Sequence, residues 1–166
     1  MKTRVFENFS YTDSRGEFNR IYDKDVEGLR GIQLQQINIS KNPKIGTLRG
    51  MHFQCSGPPE HKFITVLNGA IRLVVSNAHL VKTKSKVNNE YFDLDENSKF
   101  TLMVPSGLAT GWLSLSDNVF ISYLMTARFQ ECRFSGFRFN DPFADINWPF
   151  LPKVMSQKDL LWPNLV

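Results

Sequence analysis

The chain has 166 residues, 42% of them hydrophobic and 22% charged, with a formal net charge of +4. That supports one sizeable core, is short for two domains and is too apolar for a disordered tail, so residues 1–166 read as a single domain. No apolar run approaches the roughly 20 residues of a membrane helix, and no cluster of Arg with interleaved aromatics marks a nucleic-acid surface, so neither partner is expected.

In chain order, Met1 to Glu7 lack the apolar stretch and small-residue cleavage site of a signal peptide. Residues 34–40 alternate as a half-buried strand does. If residues 47–54 form a strand, Leu48, Gly50, His52 and Gln54 share one face, and Arg49, Met51 and Phe53 the other. Lys62 to Val75 reads as two β-branched runs joined at Asn68-Gly69, a dipeptide that supplies positive φ in a tight hairpin. Lys82, Lys84 and Lys86 alternate with Thr83 and Ser85 and read as a solvated loop. Glu90 to Val104 repeats the hairpin pattern around Asp95-Glu96-Asn97, and Gly111 to Met125 repeats it around Ser116-Asp117-Asn118. Many short strands separated by frequent turns predict an all-β sandwich or barrel. Only the carboxyl end differs. Asp141-Pro142-Phe143 and Trp148-Pro149 punctuate it, and Ser156-Gln157-Lys158-Asp159 has the Ser-x-x-Asp form of a helix start. The fourteen Phe predict a core packed largely with aromatic rings, with some left for an oligomer interface.

Cys55 and Cys132 have no metal or disulfide-framework spacing, which favours the cytoplasm. His52, His61 and His79 are the three histidines. His52 and His61 flank Pro58-Pro59 with no second ligand pattern between them, so no metal is expected. A basic chain also suits a negatively charged small substrate.

Leu48-Arg49-Gly50-Met51-His52-Phe53-Gln54 resembles the LRGxHxQ signature of the dTDP-4-dehydrorhamnose 3,5-epimerases. Further motifs follow the same family order. Asp13-Ser14-Arg15-Gly16-Glu17-Phe18 is similar to its D-x-RGxF element, and Gln36-Ile37-Asn38-Ile39-Ser40 to its Q-x-N-x-S strand. Val104-Pro105-Ser106-Gly107-Leu108-Ala109 matches its IPxGFA turn; Asn140-Asp141-Pro142, Ile146-x-Trp148-Pro149 and Ser156-x-Lys158-Asp159 complete the series. The resemblance spans roughly residues 13–163.

The resemblance implies a cupin-like antiparallel β-barrel, or jelly roll, with a short C-terminal helical segment. It implies inversion at C3, C5 or both of a nucleotide-linked 4-keto deoxysugar or heptose, through an enolate and without a cofactor. His52 is then the base, Asp159 its partner carboxylate, Lys62 the enolate stabiliser and Tyr123 the acid on the opposite face. Arg15, Phe18, Gln36, Asn38, Arg49 and Lys158 fall on substrate-binding positions, where guanidinium groups suit phosphate oxygens. A homodimer is also implied, with the RGxF element close to the partner's nucleotide site. Taken one at a time, Asp159 reads as a capping-box residue, Lys62 as a strand-edge lysine and Tyr123 as a core aromatic. Their joint occurrence in family order favours the functional reading.

The chain also departs from the family. Thr110 replaces a second histidine, Phe129 a tyrosine over the substrate, and Phe134 a glutamate near the sugar, which Glu131 could supply after a local shift. Arg72 stands for an acidic residue and Arg20 for a glutamate near the nucleotide. The recast pocket points to deoxysugar or heptose tailoring of a surface polysaccharide or glycoside rather than rhamnose synthesis proper. The carrier, dTDP, GDP or CDP, stays open. Two alternatives also stay open: a 3,4-ketoisomerase, and a sugar-nucleotide-binding cupin without catalysis.

Overall fold

The alternating apolar positions do build strands, and the side chains on their inner faces decide how those strands are arranged. The computed structural model describes residues 2–25 and 29–165. Along the chain run β1 (Arg4–Glu7), β2 (Phe9–Asp13), β3 (Gly16–Arg20), β4 (Gln36–Asn42), β5 (Leu48–Ser56) and β6 (Lys62–Asn68). There follow β7 (Ala70–Ser76), β8 (Asn89–Asp95), β9 (Phe100–Val104), β10 (Ala109–Ser114), β11 (Val119–Met125), β12 (Arg133–Gly136) and the one-turn helix α1 (Gln157–Leu160). One five-stranded sheet has the order β1-β9-β6-β11-β4, and the other β12-β5-β10-β7-β8. All strand pairs are antiparallel, and β2 and β3 form a separate hairpin. This is the expected jelly roll, as two facing sheets with free edges rather than a closed barrel.

The three predicted hairpins are corrected. The chain does reverse at Asn68-Gly69, where Gly69 has φ +76°. Yet β6 pairs with β9 and β11, whereas β7 pairs with β8 and β10. The turn therefore carries the chain from one sheet to the other. β8 and β9 are divided in the same way, as are β10 and β11. Turn chemistry is local and dictates only a reversal; burial chooses the neighbour. Ile64 and Val66 of β6, Ile71, Leu73 and Val75 of β7, and Leu102 and Val104 of β9 meet in one core between the sheets.

Each sheet also has part of its outer face covered. Phe63, Met103 and Leu124 on the outer side of the first sheet pack with Leu29 and, further out, with Phe6, Ile21, Tyr22, Ile32 and Leu34. Met51, Val74 and Ala109 on the outer side of the second pack with Phe137 and Ala144 of the C-terminal segment. Asp141 staples that segment: Oδ1 accepts from the Phe143 and Ala144 amides at 2.8 Å, and Oδ2 from the Leu165 amide at 2.6 Å. The segment then returns to β5, where the Leu48 amide donates to the Val154 carbonyl at 2.9 Å. α1 starts as predicted, with Ser156 Oγ accepting from the Asp159 amide at 3.1 Å.

One local irregularity governs β5. Thr110 lies opposite His52 and Trp112 opposite Arg49, so Gly50 and Met51 together face Gly111 alone. Such a bulge shifts the alternation by one residue. Gly50 has φ +131°, and an added Cβ would stand 2.5 Å from Gly111 Cα and 2.9 Å from the Thr110 carbonyl oxygen. Gly50→Ala is therefore expected to destabilise the fold by about 2–4 kcal/mol, from forbidden backbone and overpacking together. Urea unfolding measures this, with the exposed Gly16→Ala, for which an added Cβ meets nothing within 4 Å, giving the loss from φ alone.

Candidate active site

Beyond the apolar core the space between the sheets widens into a cavity of about 550 Å³. Ile64, Leu73 and Trp112 belong both to the core and to the cavity wall. The first sheet contributes Gln36 and Asn38 from β4, Lys62 from β6 and Tyr123 from β11; the second contributes Arg49 and His52 from β5 and Thr110 from β10. Lys158 and Asp159 of α1 and Trp162 just beyond it complete that side. The strict alternation expected for residues 47–54 is corrected here. Arg49 and His52 share the cavity wall because of the bulge, while Met51 is buried in the outer core.

His52 is held by Asp159, with Nε2 2.6 Å from Oδ1. The Trp162 indole N–H donates to the same oxygen at 3.3 Å, and the Gly50 amide to Oδ2 at 3.3 Å. Asp159 is only 4% exposed. Burial pushes its carboxyl up, but the hydrogen bond and charge of His52, with the Gly50 and Trp162 N–H groups, outweigh that and hold it below the usual range. With Nε2 engaged, Nδ1 is the nitrogen left for other chemistry. Trp162 also stands edge-on to the imidazole, 6.2 Å between centroids, and Lys158 Nζ lies over the Trp162 ring, 5.3 Å from its centroid.

Lys62 opens β6 directly after a braced turn. Gln54 accepts from the Glu60 amide and from Ser106 Oγ, each at 3.0 Å, and donates to the Pro58 carbonyl at 2.7 Å. Lys62 Nζ comes to rest 3.5 Å from Glu60 Oε1. Glu60 is 3% exposed, and Oε1 makes no formed hydrogen bond. Burial lowers the Lys62 pKa and raises that of Glu60, each opposed by the other's charge. Tyr123, on the strand next to Lys62 in the same sheet, accepts from the Trp112 indole N–H at 2.7 Å. Burial pushes its phenol up to about 12, against the opposing pull of Trp112 and Arg49.

At the β4 end, Gln36 donates to Asn38 at 2.9 Å and accepts from the Phe129 amide at 3.0 Å, while Arg49 donates to Asn42 at 3.0 Å. Of the departing residues, Thr110, Phe129 and Phe134 line the cavity, the two phenyl rings stacked at 5.3 Å. Glu131 lies on the exposed side beside Arg128 and is not in the wall, so no local shift restores the acid. Arg72 pairs with Asp93 and Arg20 with Asp23, both away from the cavity.

Two predicted binding residues are not brought to this cavity. Arg15 and Phe18 sit on the β2–β3 hairpin, Phe18 exposed and Arg15 paired with Asp13. His61 Nδ1 accepts from the Ser106 amide, and His79 stacks on Phe53 at 3.9 Å, so both serve the scaffold. Lys82, Lys84 and Lys86 are exposed, as expected of a solvated loop. Among the described residues no group of three His, Cys, Asp or Glu is placed to hold a metal, and no helix is long and apolar enough to cross a membrane. Sequence reasoning missed Glu60, Trp112 and Trp162. Glu60 stands two residues before Lys62 and so on the same side of an extended chain, the one signal that was available for it; the two tryptophans gave none.

Residues 2–166 match the family described as dTDP-4-dehydrorhamnose 3,5-epimerase. An enzyme of that name from Sinorhizobium fredii is 30% identical over 160 residues, 93% of this chain and 80% of the relative. The crystal structure of the Bacillus anthracis dTDP-4-dehydrorhamnose 3,5-epimerase, with TDP and pyrophosphate bound, superposes with a TM-score of 0.84 at 29% identity, covering 98% of this chain and 93% of that one. The Legionella pneumophila dTDP-6-deoxy-D-glucose-3,5-epimerase, in complex with dTDP-4-keto-L-rhamnose, superposes at 0.84 with 26% identity, covering 98% and 87%. Sequence and fold agree from one end of the chain to the other, and the protein belongs to the dTDP-4-dehydrorhamnose 3,5-epimerase family.

Proposed function

We propose that this protein inverts one or both carbons flanking the 4-keto group of a nucleotide-linked deoxysugar. The observation that carries the reading is the placement of His52 and Tyr123 on opposite sheets facing one cavity. An inversion needs a base on one face of the sugar ring and an acid on the other. His52 Nδ1 takes the proton, and Asp159 stabilises the imidazolium through Nε2. The electron pair moves onto the ketone oxygen, where Lys62 meets the developing charge. Tyr123 returns a proton to the opposite face, and the ketone re-forms. No step requires a metal or an organic cofactor.

Gln36, Asn38, Arg49 and Lys158 bind the nucleotide diphosphate and sugar from the cavity rim. Relatives that hold TDP or a dTDP-sugar make dTDP the first carrier to test. Arg15 and Phe18 act on the cavity of a second copy. The β2–β3 hairpin exposes Phe9, Tyr11 and Phe18, and the edge strand β4 exposes Ile37 and Ile39. Unpaired edges and apolar patches of this kind are ordinarily covered, which supports a homodimer. The free thiols of Cys55 and Cys132 accord with a reducing cytoplasm.

Three outcomes test the reading. In D₂O with a dTDP-4-keto deoxysugar, His52→Ala is expected to abolish deuterium wash-in, and Tyr123→Phe to keep exchange while losing inversion, each by about 10²–10⁴-fold. Asp159→Asn should behave as a milder His52 variant. Label confined to carbons beside a migrated carbonyl would make the protein a ketoisomerase, and no label at all a binder. The second outcome concerns pH. The charged form of Lys62 is the active one and its pKa is lowered, so kcat should fall as pH rises, at values below the 10.5 of free lysine. Glu60 opposes that lowering, as Cys132 does more weakly, so Glu60→Gln should move the alkaline limb further down. A limb that stays in place in that variant excludes Lys62 as its source. Third, light scattering at micromolar concentration should give twice the 19.1 kDa of one chain; a monomer refutes the shared site.

A further inference from the structure

Trp112 and Tyr123 belong to different sheets, β10 and β11, and their hydrogen bond crosses the interior at 2.7 Å. Both side chains line the cavity, and Trp112 is 4% exposed. An indole N–H can only donate, so the Tyr123 oxygen must be the acceptor. The phenol's own proton then has to point elsewhere. Among the described residues no acceptor takes it, because the Trp112 contact is the one side-chain hydrogen bond Tyr123 makes. The proton is left for a molecule in the cavity.

We propose that Trp112 is the positioning residue for proton return during inversion. This rests on the assignment of Tyr123 as the acid. Trp112 first fixes the rotation of the hydroxyl so that its hydrogen faces the substrate. It then holds the oxygen after the transfer. In that step the Tyr123 O–H bond breaks and a C–H bond forms at the enolate carbon. The enolate's electron pair enters that bond, the ketone is restored, and tyrosine is left as a phenolate facing the Trp112 N–H. His52 carries the proton first removed, and solvent exchange resets both groups. A donor already aimed at the oxygen where charge appears stabilises it without reorganisation. A purely architectural role is the competing reading, since a buried indole N–H needs some acceptor and Tyr123 supplies one.

A cycle of Trp112→Phe, Tyr123→Phe and the double variant separates the two readings, using the full chain and a dTDP-4-keto deoxysugar in D₂O, with wash-in and inverted product scored independently. Trp112→Phe should leave wash-in within about three-fold of the parent and slow inversion by about ten-fold or more, the loss of one hydrogen bond to a charged acceptor. Added to Tyr123→Phe, it should change neither rate. Equal loss of wash-in and inversion, undiminished inversion, or independent losses in the double variant would each overturn the proposal. Should Trp112→Phe unfold, β-(3-benzothienyl)alanine inserted at position 112 keeps the bicyclic shape, lacks the N–H and should give the same split. If Tyr123→Phe alone inverts at the parental rate, the acid assignment itself fails, and this outcome is distinct from a silent Trp112 variant beside an inactive Tyr123 one.

Discussion

The candidate site depends on one extra residue in a strand. Because Gly50 and Met51 together stand opposite Gly111, Arg49 and His52 face the same cavity, which regular pleating would forbid. The bulge does more than turn two side chains. It frees the Gly50 amide from the ladder, and that amide donates to Asp159 Oδ2. Met51 exchanges backbone hydrogen bonds with Phe137 while its side chain enters the outer core, tying the C-terminal segment to the sheet. That tether, with the Leu48–Val154 bond, delivers α1 to the cavity and places the Asp159 carboxylate against His52. Gly111 and Gly136 are required by the same closeness: an added Cβ would lie 2.4 Å from Met51 Sδ or from the Met51 carbonyl oxygen, respectively.

The jelly roll suits the proposed chemistry for a geometric reason. Two opposed sheets present side chains toward each other across one space, so groups on facing strands meet a bound ring from its two sides without any loop having to close. The carboxylates in that space are buried and paired, Asp159 with the partly exposed His52 and Glu60 with Lys62. Buried pairs of this kind add little net stability, since desolvation offsets most of the attraction. Their value under the proposed mechanism is that the dipoles and charges are already in place when the enolate forms.

Much of this was legible in the sequence, and the reasons for the rest are specific. Alternation announced the strands, and Ser156 to Asp159 announced α1. His52, Lys62, Tyr123 and Asp159, which the family resemblance singles out, all line one cavity. Hairpin partners were misread because Asn68-Gly69 makes the same turn whether the following strand pairs with its predecessor or crosses to the other sheet. The faces of β5 were misread because a bulge leaves no signature in a period-two pattern beyond an unexplained glycine. Trp112 and Trp162 carry no signal in the sequence, and only the position of the indole nitrogens, one on Tyr123 and one on Asp159, marks them out. Arg15 and Phe18 match a motif whose proposed target belongs to another copy, so one chain alone cannot bring them to the cavity it encloses.

Three of the departures from the family pattern, Thr110, Phe129 and Phe134, line the cavity, and their chemistry bears on selectivity. Phe129 and Phe134 stack at 5.3 Å, with Lys62 Nζ 6.0 Å from the Phe134 ring, so an apolar wall lies beside the buried cation. Thr110, the register partner of His52, places a small hydroxyl where the family has an imidazole. Under the proposed mechanism, an apolar wall lowers the local dielectric and strengthens the action of Lys62 on an enolate oxygen. It discriminates weakly, however, since apolar contacts reject a substrate with one additional hydroxyl by only about 10²-fold. The β4 end is different. Gln36 and Asn38 form a hydrogen-bonded chain anchored by the Phe129 amide, and Arg49 is fixed by Asn42. Polar groups held this way lose partners when the wrong ligand binds, and such sites discriminate by about 10⁴-fold or more. Under the proposed function, selection therefore rests on the polar β4 side of the cavity, while the phenyl wall tolerates variation in the part of the sugar it meets.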